Sequence, residues 1–354
     1  MNKKLIILSV LTPVFLFLFF YFVFSSKSVT DIEQALLIKP AAQDVNQRVW
    51  RNLDLNLEGV SDEFIASTHM KFGMDGYIYA EDRSRMLVKK FDTQAKEVSR
   101  FGKGEGRGPG EFLLITDLMF DSNENLWVID PGNNRATIFD QHTNGEWDII
   151  NFPLVPIRII PAGTDEYWLE NRYEGLPKRF TKSGNFIGEA EAFLNDPQLW
   201  SVVFEGRYAT APDGSVILIQ NQTNYLLKYN KVGKIEFFRE AVSQPEMPGI
   251  LPYYANDVAR VNTPDYSSRK QFSRTASVVN NTIHVFVWEL DTTTDNRQWD
   301  QKTVDVYNLE TGNYLFSYKL PEHVHALGVS QTHLAAITDE DGYLKVWEVV
   351  GGWN

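Results

Sequence analysis

Asp121-Ser-Asn-Glu-Asn-Leu-Trp-Val-Ile-Asp130, carried on through Gly132-Asn-Asn-Arg135 to Ile138-Phe139-Asp140, is the stretch that decides the fold of this chain. A polar turn leads into an apolar, aromatic and β-branched run. A second turn of Gly and Asn reverses it, and the returning run ends on an aromatic residue followed by Asp. Side chains of a strand point to opposite faces with period two, so short runs of this kind between Gly, Asn and Asp turns read as antiparallel strands.

The same order recurs on both sides. Upstream, Met74-Asp-Gly-Tyr-Ile-Tyr-Ala80 returns as Val88-Lys-Lys-Phe91-Asp92. Downstream, Pro212-Asp-Gly-Ser-Val-Ile-Leu-Ile219 returns as Leu226-Leu-Lys-Tyr229-Asn230, and weaker copies begin near Gly163, Val279 and Ser330. These six units lie mostly about 40 to 50 residues apart. An all-strand chain with that period predicts propeller blades, since one blade cannot bury its own faces without neighbours. The expected fold is therefore all-β, a six-bladed β-propeller over residues 48–354.

The run Phe101-Gly-Lys-Gly-Glu-Gly-Arg-Gly-Pro-Gly-Glu-Phe112, followed by the Leu126–Asp130, Asn133, Arg135 and Phe139 hairpin, resembles NHL-type repeats. It is similar above all to the exported bacterial six-bladed propellers that carry such repeats. The likeness is good over the first two blades, fair over the fourth and weak elsewhere. Blade one departs from it by placing Glu81 where blade two has Asp130. What the resemblance implies is a fold; NHL propellers include scaffolds, ligand binders and a few enzymes, so it implies no one activity.

At the N-terminus, Lys3 and Lys4 precede an apolar run from Leu5 to Phe24. Twenty helical residues span about 30 Å, a bilayer's hydrocarbon thickness, whereas a cleaved signal has an apolar core of only about 7–15 residues. Residues 1–27 are thus expected to be a transmembrane anchor helix, with a cleaved signal peptide as the alternative. Lysines before the run and Asp31 and Glu33 after it keep the N-terminus cytoplasmic. The expected location is a single pass of the bacterial inner membrane with the propeller on the periplasmic side. Residues 28–47, polar and unpatterned, read as a stalk.

There is no cysteine, which removes a lipoprotein anchor, disulfides and thiolate chemistry. Residues 1–27 hold three lysines and no acid, leaving 31 basic and 46 acidic side chains beyond them, a net charge of −15. Such a surface repels phosphate backbones, so nucleic acid is not an expected partner.

Several motifs have plain readings. The glycines from Gly102 to Gly110 are followed by a strand rather than a helix N-terminus, so they read as a linker and not a phosphate cradle. Asp130, Asn133 and Arg135 read as an Asp-anchored hairpin, and Thr338–Gly342 as a hairpin turn rather than a calcium loop. Residues Val242 to Phe272 stretch the spacing between the fourth and fifth units. Arg48–Leu57 is expected to close the ring by pairing with Tyr343–Val349, leaving no open sheet edge.

No catalytic signature is present, neither G-x-S-x-G nor H-E-x-x-H. One constellation depends on the blades. Residues entering each innermost strand point into the central channel at one mouth, and one phase through six units gives His69, Asp117, Arg158, Arg207, Arg274 and His325. Closure of the ring would place His325, His69 and Asp117 together, a ligand set for a divalent metal; no other cofactor is expected. Arg158, Arg207 and Arg274 would face them and suit a carboxylate or phosphate. The expected function is a binding module for a protein or saccharide partner, tethered to the membrane by the N-terminal helix. The alternative is a metal-dependent hydrolase or lyase, lactonase-like, acting in the channel.

Overall fold

The computed structural model describes residues 36–45, 47–65, 67, 69–140, 147–152, 158–170, 176–195, 206–221, 225–242, 251–255, 258–262, 271–290 and 299–353. The apolar run from Leu5 to Phe24 lies outside them. Among the described residues no helix is long and apolar enough to cross a membrane.

Six four-stranded antiparallel sheets follow one another along the chain. Their innermost strands are Met70–Phe72, Asp117–Phe120, Arg158–Ala162, Gly206–Thr210, Gln271–Val279 and Val324–Val329. Each touches the inner strand before and after it, and the sixth touches the first, so the ring is closed. The fully buried residues fall into clusters that straddle neighbouring blades. Ile78 of blade one packs with Ile337 of blade six, and Tyr79 of blade one with Phe139 of blade two. A sheet buried on both faces gains about 1.5–3 kcal/mol for each large apolar side chain it covers, and only the adjoining sheet can supply the cover.

The repeated aromatic–Asp/Asn signature has a local cause. Asp92 Oδ1 accepts hydrogen bonds from the backbone N–H groups of Gln94 and Lys96, and Asn230 Oδ1 from those of Val232 and Lys234. In each the short side chain stands in for a backbone carbonyl and closes the outer hairpin. Gly233, at φ +85°, completes the second of these turns in a conformation that side chains disfavour.

Blade two also clamps the glycine-rich segment. The Asp130 carboxylate accepts from the backbone N–H groups of Leu113, Leu114 and Asn133 at 3.2, 3.0 and 3.2 Å. Asn133 Nδ2 donates to the Gly106 carbonyl at 2.9 Å, and Arg135 donates to those of Arg107 and Gly108 at 3.1 and 2.7 Å. The segment is an inter-blade linker whose polar backbone is satisfied by the hairpin motif next to it.

Ring closure by the N-terminal part of the chain is found, but with a different strand. Leu55–Phe64 is the outermost strand of blade six and pairs antiparallel with Tyr343–Val349, in the register Leu55↔Val349 and Leu57↔Trp347. The expected strand Arg48–Leu57 overlaps it only at its end. Gly59 lets this strand pass close to blade one, since a Cβ there would sit 2.2 Å from the Gln94 backbone.

The residues ahead of that strand wrap the rim. Leu36 bridges Leu194, Ala41 bridges Arg239 of the outer strand of blade four, and Trp50 bridges Ser317 of that of blade five. From Leu36 onward the segment read as a stalk is therefore bound to the propeller. Its pairing uses backbone groups, which cover otherwise open sheet edges and need no side-chain pattern. The stretch between the fourth and fifth blades holds a separate antiparallel hairpin, Leu251–Ala255 with Val258–Asn262.

Candidate functional site

The channel has two chemically different ends. At the end where the inner strands begin, His69, Lys71, Asp117, Arg207, Tyr208 and Thr275 surround a cavity of about 20 Å³, the size of a single water. Asp117 opens the inner strand of blade two and is buried, with one carboxylate oxygen accepting from the Leu118 N–H at 2.9 Å. Burial by itself would raise its pKa. The charges of Lys71, His69, Arg207 and Arg158 outweigh that and hold it below the usual carboxylate range.

Four of the six residues read from the sequence thus meet electrostatically at this mouth: His69, Asp117, Arg158 and Arg207. Arg274 lies in the inner strand of blade five, at a bulge between Ser273 and Thr275, with its side chain outside the described set. His325 also sits at a bulge, between Val324 and Ala326, and turns its Nε2 to the Asp339 carboxylate. It is absent from the lining of the cavity that holds His69 and Asp117.

His69, Asp117 and His325 are not assembled as a metal-ligand set. His69 Nδ1 faces Glu81 Oε2 at 3.1 Å and His325 Nε2 faces Asp339, so each imidazole has a carboxylate of its own. Among the described residues no group of three or more His, Asp and Glu is placed to hold a metal ion.

A second ring of residues, which the single phase along the inner strands misses, backs the mouth. Glu81, fully buried, faces His69 through Oε2 and accepts from Arg83 Nε at 2.8 Å through Oε1. Glu170, also fully buried, lies opposite Arg158 in the strand register. The Tyr208 hydroxyl is held far above its ordinary pKa by burial and by the negative charge of Glu170. The available signal was a carboxylate or amide closing an apolar run in the second strand of a blade, as in Tyr167-Trp-Leu-Glu170 and Val216-Ile-Leu-Ile-Gln220.

At the other end, where the inner strands finish, the channel widens to a cavity of about 160 Å³. Each inner strand gives it at least one apolar residue, among them Phe72, Met119, Pro161, Ala209, Ala276 and Val329. Lys71 borders both cavities.

Fold and channel together define the class: a six-bladed β-propeller with a polar and an apolar end to its channel. No described family of sequences matches the chain, and no curated protein does. Solved structures do resemble it. A Bacteroides fragilis protein assigned as exported superposes with a TM-score of 0.57 at 9% identity, over 86% of this chain and 97% of that one. A DUF4221 family member from Bacteroides vulgatus gives 0.54 at 11%, over 87% and 98%. Virginiamycin B lyase from Staphylococcus aureus gives 0.48 at 10%, over 84% and 99%. At such identities the likeness is one of fold.

Proposed function

We propose that this chain is an extracytoplasmic binding module, held at the membrane by its N-terminal apolar segment, that captures an anionic group of a protein or saccharide partner at the polar mouth of its propeller. The observation that carries this reading is the convergence of Lys71, Arg207 and Arg158, with His69, on the buried Asp117 at one mouth of the channel. Guanidinium groups match carboxylates and phosphates in a planar, two-point geometry. The apolar run near the N-terminus supports the membrane location. The exported Bacteroides fragilis protein is a further likeness in the same direction. The absence of a nucleophile–base pair among the sequence motifs supports binding rather than catalysis. The test is thermal stability of the whole chain with inorganic phosphate, glucuronate and an acidic peptide, each at constant ionic strength. A rise in melting temperature that Arg207→Ala removes supports the reading; no rise with any of the three overturns it.

A further inference from the structure

The wide end of the channel carries a second site, distinct in chemistry from the polar mouth. Every blade gives its wall an apolar residue, with Phe72, Met119, Pro161, Ala209, Ala276 and Val329 each coming from a different inner strand and Ser122, Thr210 and Ser277 adding hydroxyls. Blades four and five contribute alanine, so the widening is built by small residues rather than by a missing element. A cavity of about 160 Å³ is the right size for one aromatic ring, since an apolar cavity of about 150 Å³ accepts benzene.

Two charged groups bear on this cavity, and they differ. Asp121 already has its charge matched: its carboxylate accepts from Trp127 Nε1 at 3.0 Å and from Lys182 Nζ at 2.9 Å, and from the backbone of Asn123 and Asn125. Those bonds hold it below the usual carboxylate range against its own burial. Lys71 is the opposite case. Among the described residues its side chain makes no hydrogen bond, ion pair or ring contact, and it acts on Asp117 through space. A partly buried ammonium beside a largely apolar pocket, with no carboxylate in hydrogen-bond contact, is a place for an anion to arrive.

The geometry points to a binding pocket for a small aromatic carboxylate. The ring occupies the apolar end of the channel, and the carboxylate accepts hydrogen bonds from Lys71 Nζ. This goes beyond the anion site proposed at the polar mouth and does not require it, because the two cavities share only Lys71.

Methionine-methyl NMR on the whole chain separates the two sites. Met74 and Met119 line the wide cavity, Met70 lines the polar one, and Met86 lines neither. Phenylacetate should shift Met74 and Met119 and leave Met86 in place. Phenylacetamide, the uncharged isostere, should do so at least about tenfold more weakly, as loss of a charge-assisted hydrogen bond requires. Lys71→Gln should abolish the preference for the acid, and Lys71→Arg should keep it. No response at Met74 and Met119 would overturn the proposal, as would equal binding of acid and amide by the unmodified chain; that comparison holds even if a variant fails to fold. A phenylacetate response confined to Met70 would overturn it too. Failure of inorganic phosphate to move Met70 counts against the polar-mouth reading only.

Discussion

Arg48 Nε lies 2.6 Å from Asp305 Oδ1, joining the arm that precedes the closing strand to a buried carboxylate in blade five. The guanidinium donates a second bond to Asp305 Oδ2 at 2.9 Å and also reaches Glu289. Asp305 is 1% exposed and otherwise receives the Ser317 hydroxyl. Removing one partner of such a pair leaves a charge in a place that water cannot reach. Arg48→Ala should therefore cost about 3–5 kcal/mol in urea denaturation. Asp305→Asn in the same chain should recover much of the loss. An Arg48→Ala protein as stable as the parent would show that the arm is only loosely applied.

The arm and the closing strand are separable. A chain beginning at Leu53 keeps Leu55–Phe64 but loses the contacts to blades three, four and five. It should remain monomeric and melt at a lower temperature. A chain beginning at Ile65 bares the edge of Tyr343–Val349, and exposed edges pair with other chains. Light scattering should show it self-associating. Equal behaviour of the two truncations would mean that blade six does not depend on its N-terminal strand.

His284 should make the protein lose stability in acid. Its ring is packed against Trp353 at 4.5 Å between centroids, with Thr282 Oγ1 at 2.9 Å and the Tyr318 hydroxyl at 3.3 Å, and faces no carboxylate among the described residues. Burial lowers its pKa from 6.5 to about 3. Between those values the unfolded chain binds a proton that the folded one refuses. The stability present above about pH 6.5 is thus lost as pH falls toward 3. His284→Phe should flatten the stability profile over that window. Asp117 and Asp121, whose folded pKa values are also lowered, keep contributing loss in acid, so the comparison is of slopes between parent and variant. Parallel profiles would place the imidazole in contact with water.

At the polar mouth, an anion at about a hundred times its dissociation constant should stabilise the fold by roughly 2.7 kcal/mol. Arg207→Ala should remove that increment, read against the variant's own unliganded melting temperature because Arg207 also helps to hold the buried Asp117 ionised. A full increment in the variant would place the anion elsewhere.

Much of the fold was legible because its determinants are local. The Asp92 and Asn230 turns close on N–H groups two and four residues away, so each blade writes its own signature into the chain, and the count of blades follows. The phase that picked out His69, Asp117, Arg158 and Arg207 was readable for the same reason: a strand's period of two carries from one unit to the next once the turns are aligned. Where an inner strand bulges, as at Arg274 and His325, that phase slips and the inference from it weakens.

By itself, then, the sequence determined an all-β ring of six blades, the strands that face the channel and the charged character of one mouth. Tertiary structure alone decided the course of residues 36–54 around the rim, the register of Leu55–Phe64 and the pairing of each buried carboxylate. Backbone pairing along a sheet edge asks for no particular side chain, so Leu36, Ala41 and Trp50 bridge distant blades without a pattern to mark them. The carboxylate of Glu81 could have served a metal with His69, but the fold gives its two oxygens to His69 and Arg83. Lys71 borders both ends of the channel because blades distant in sequence curve back to surround it, a proximity that exists only once the ring has closed.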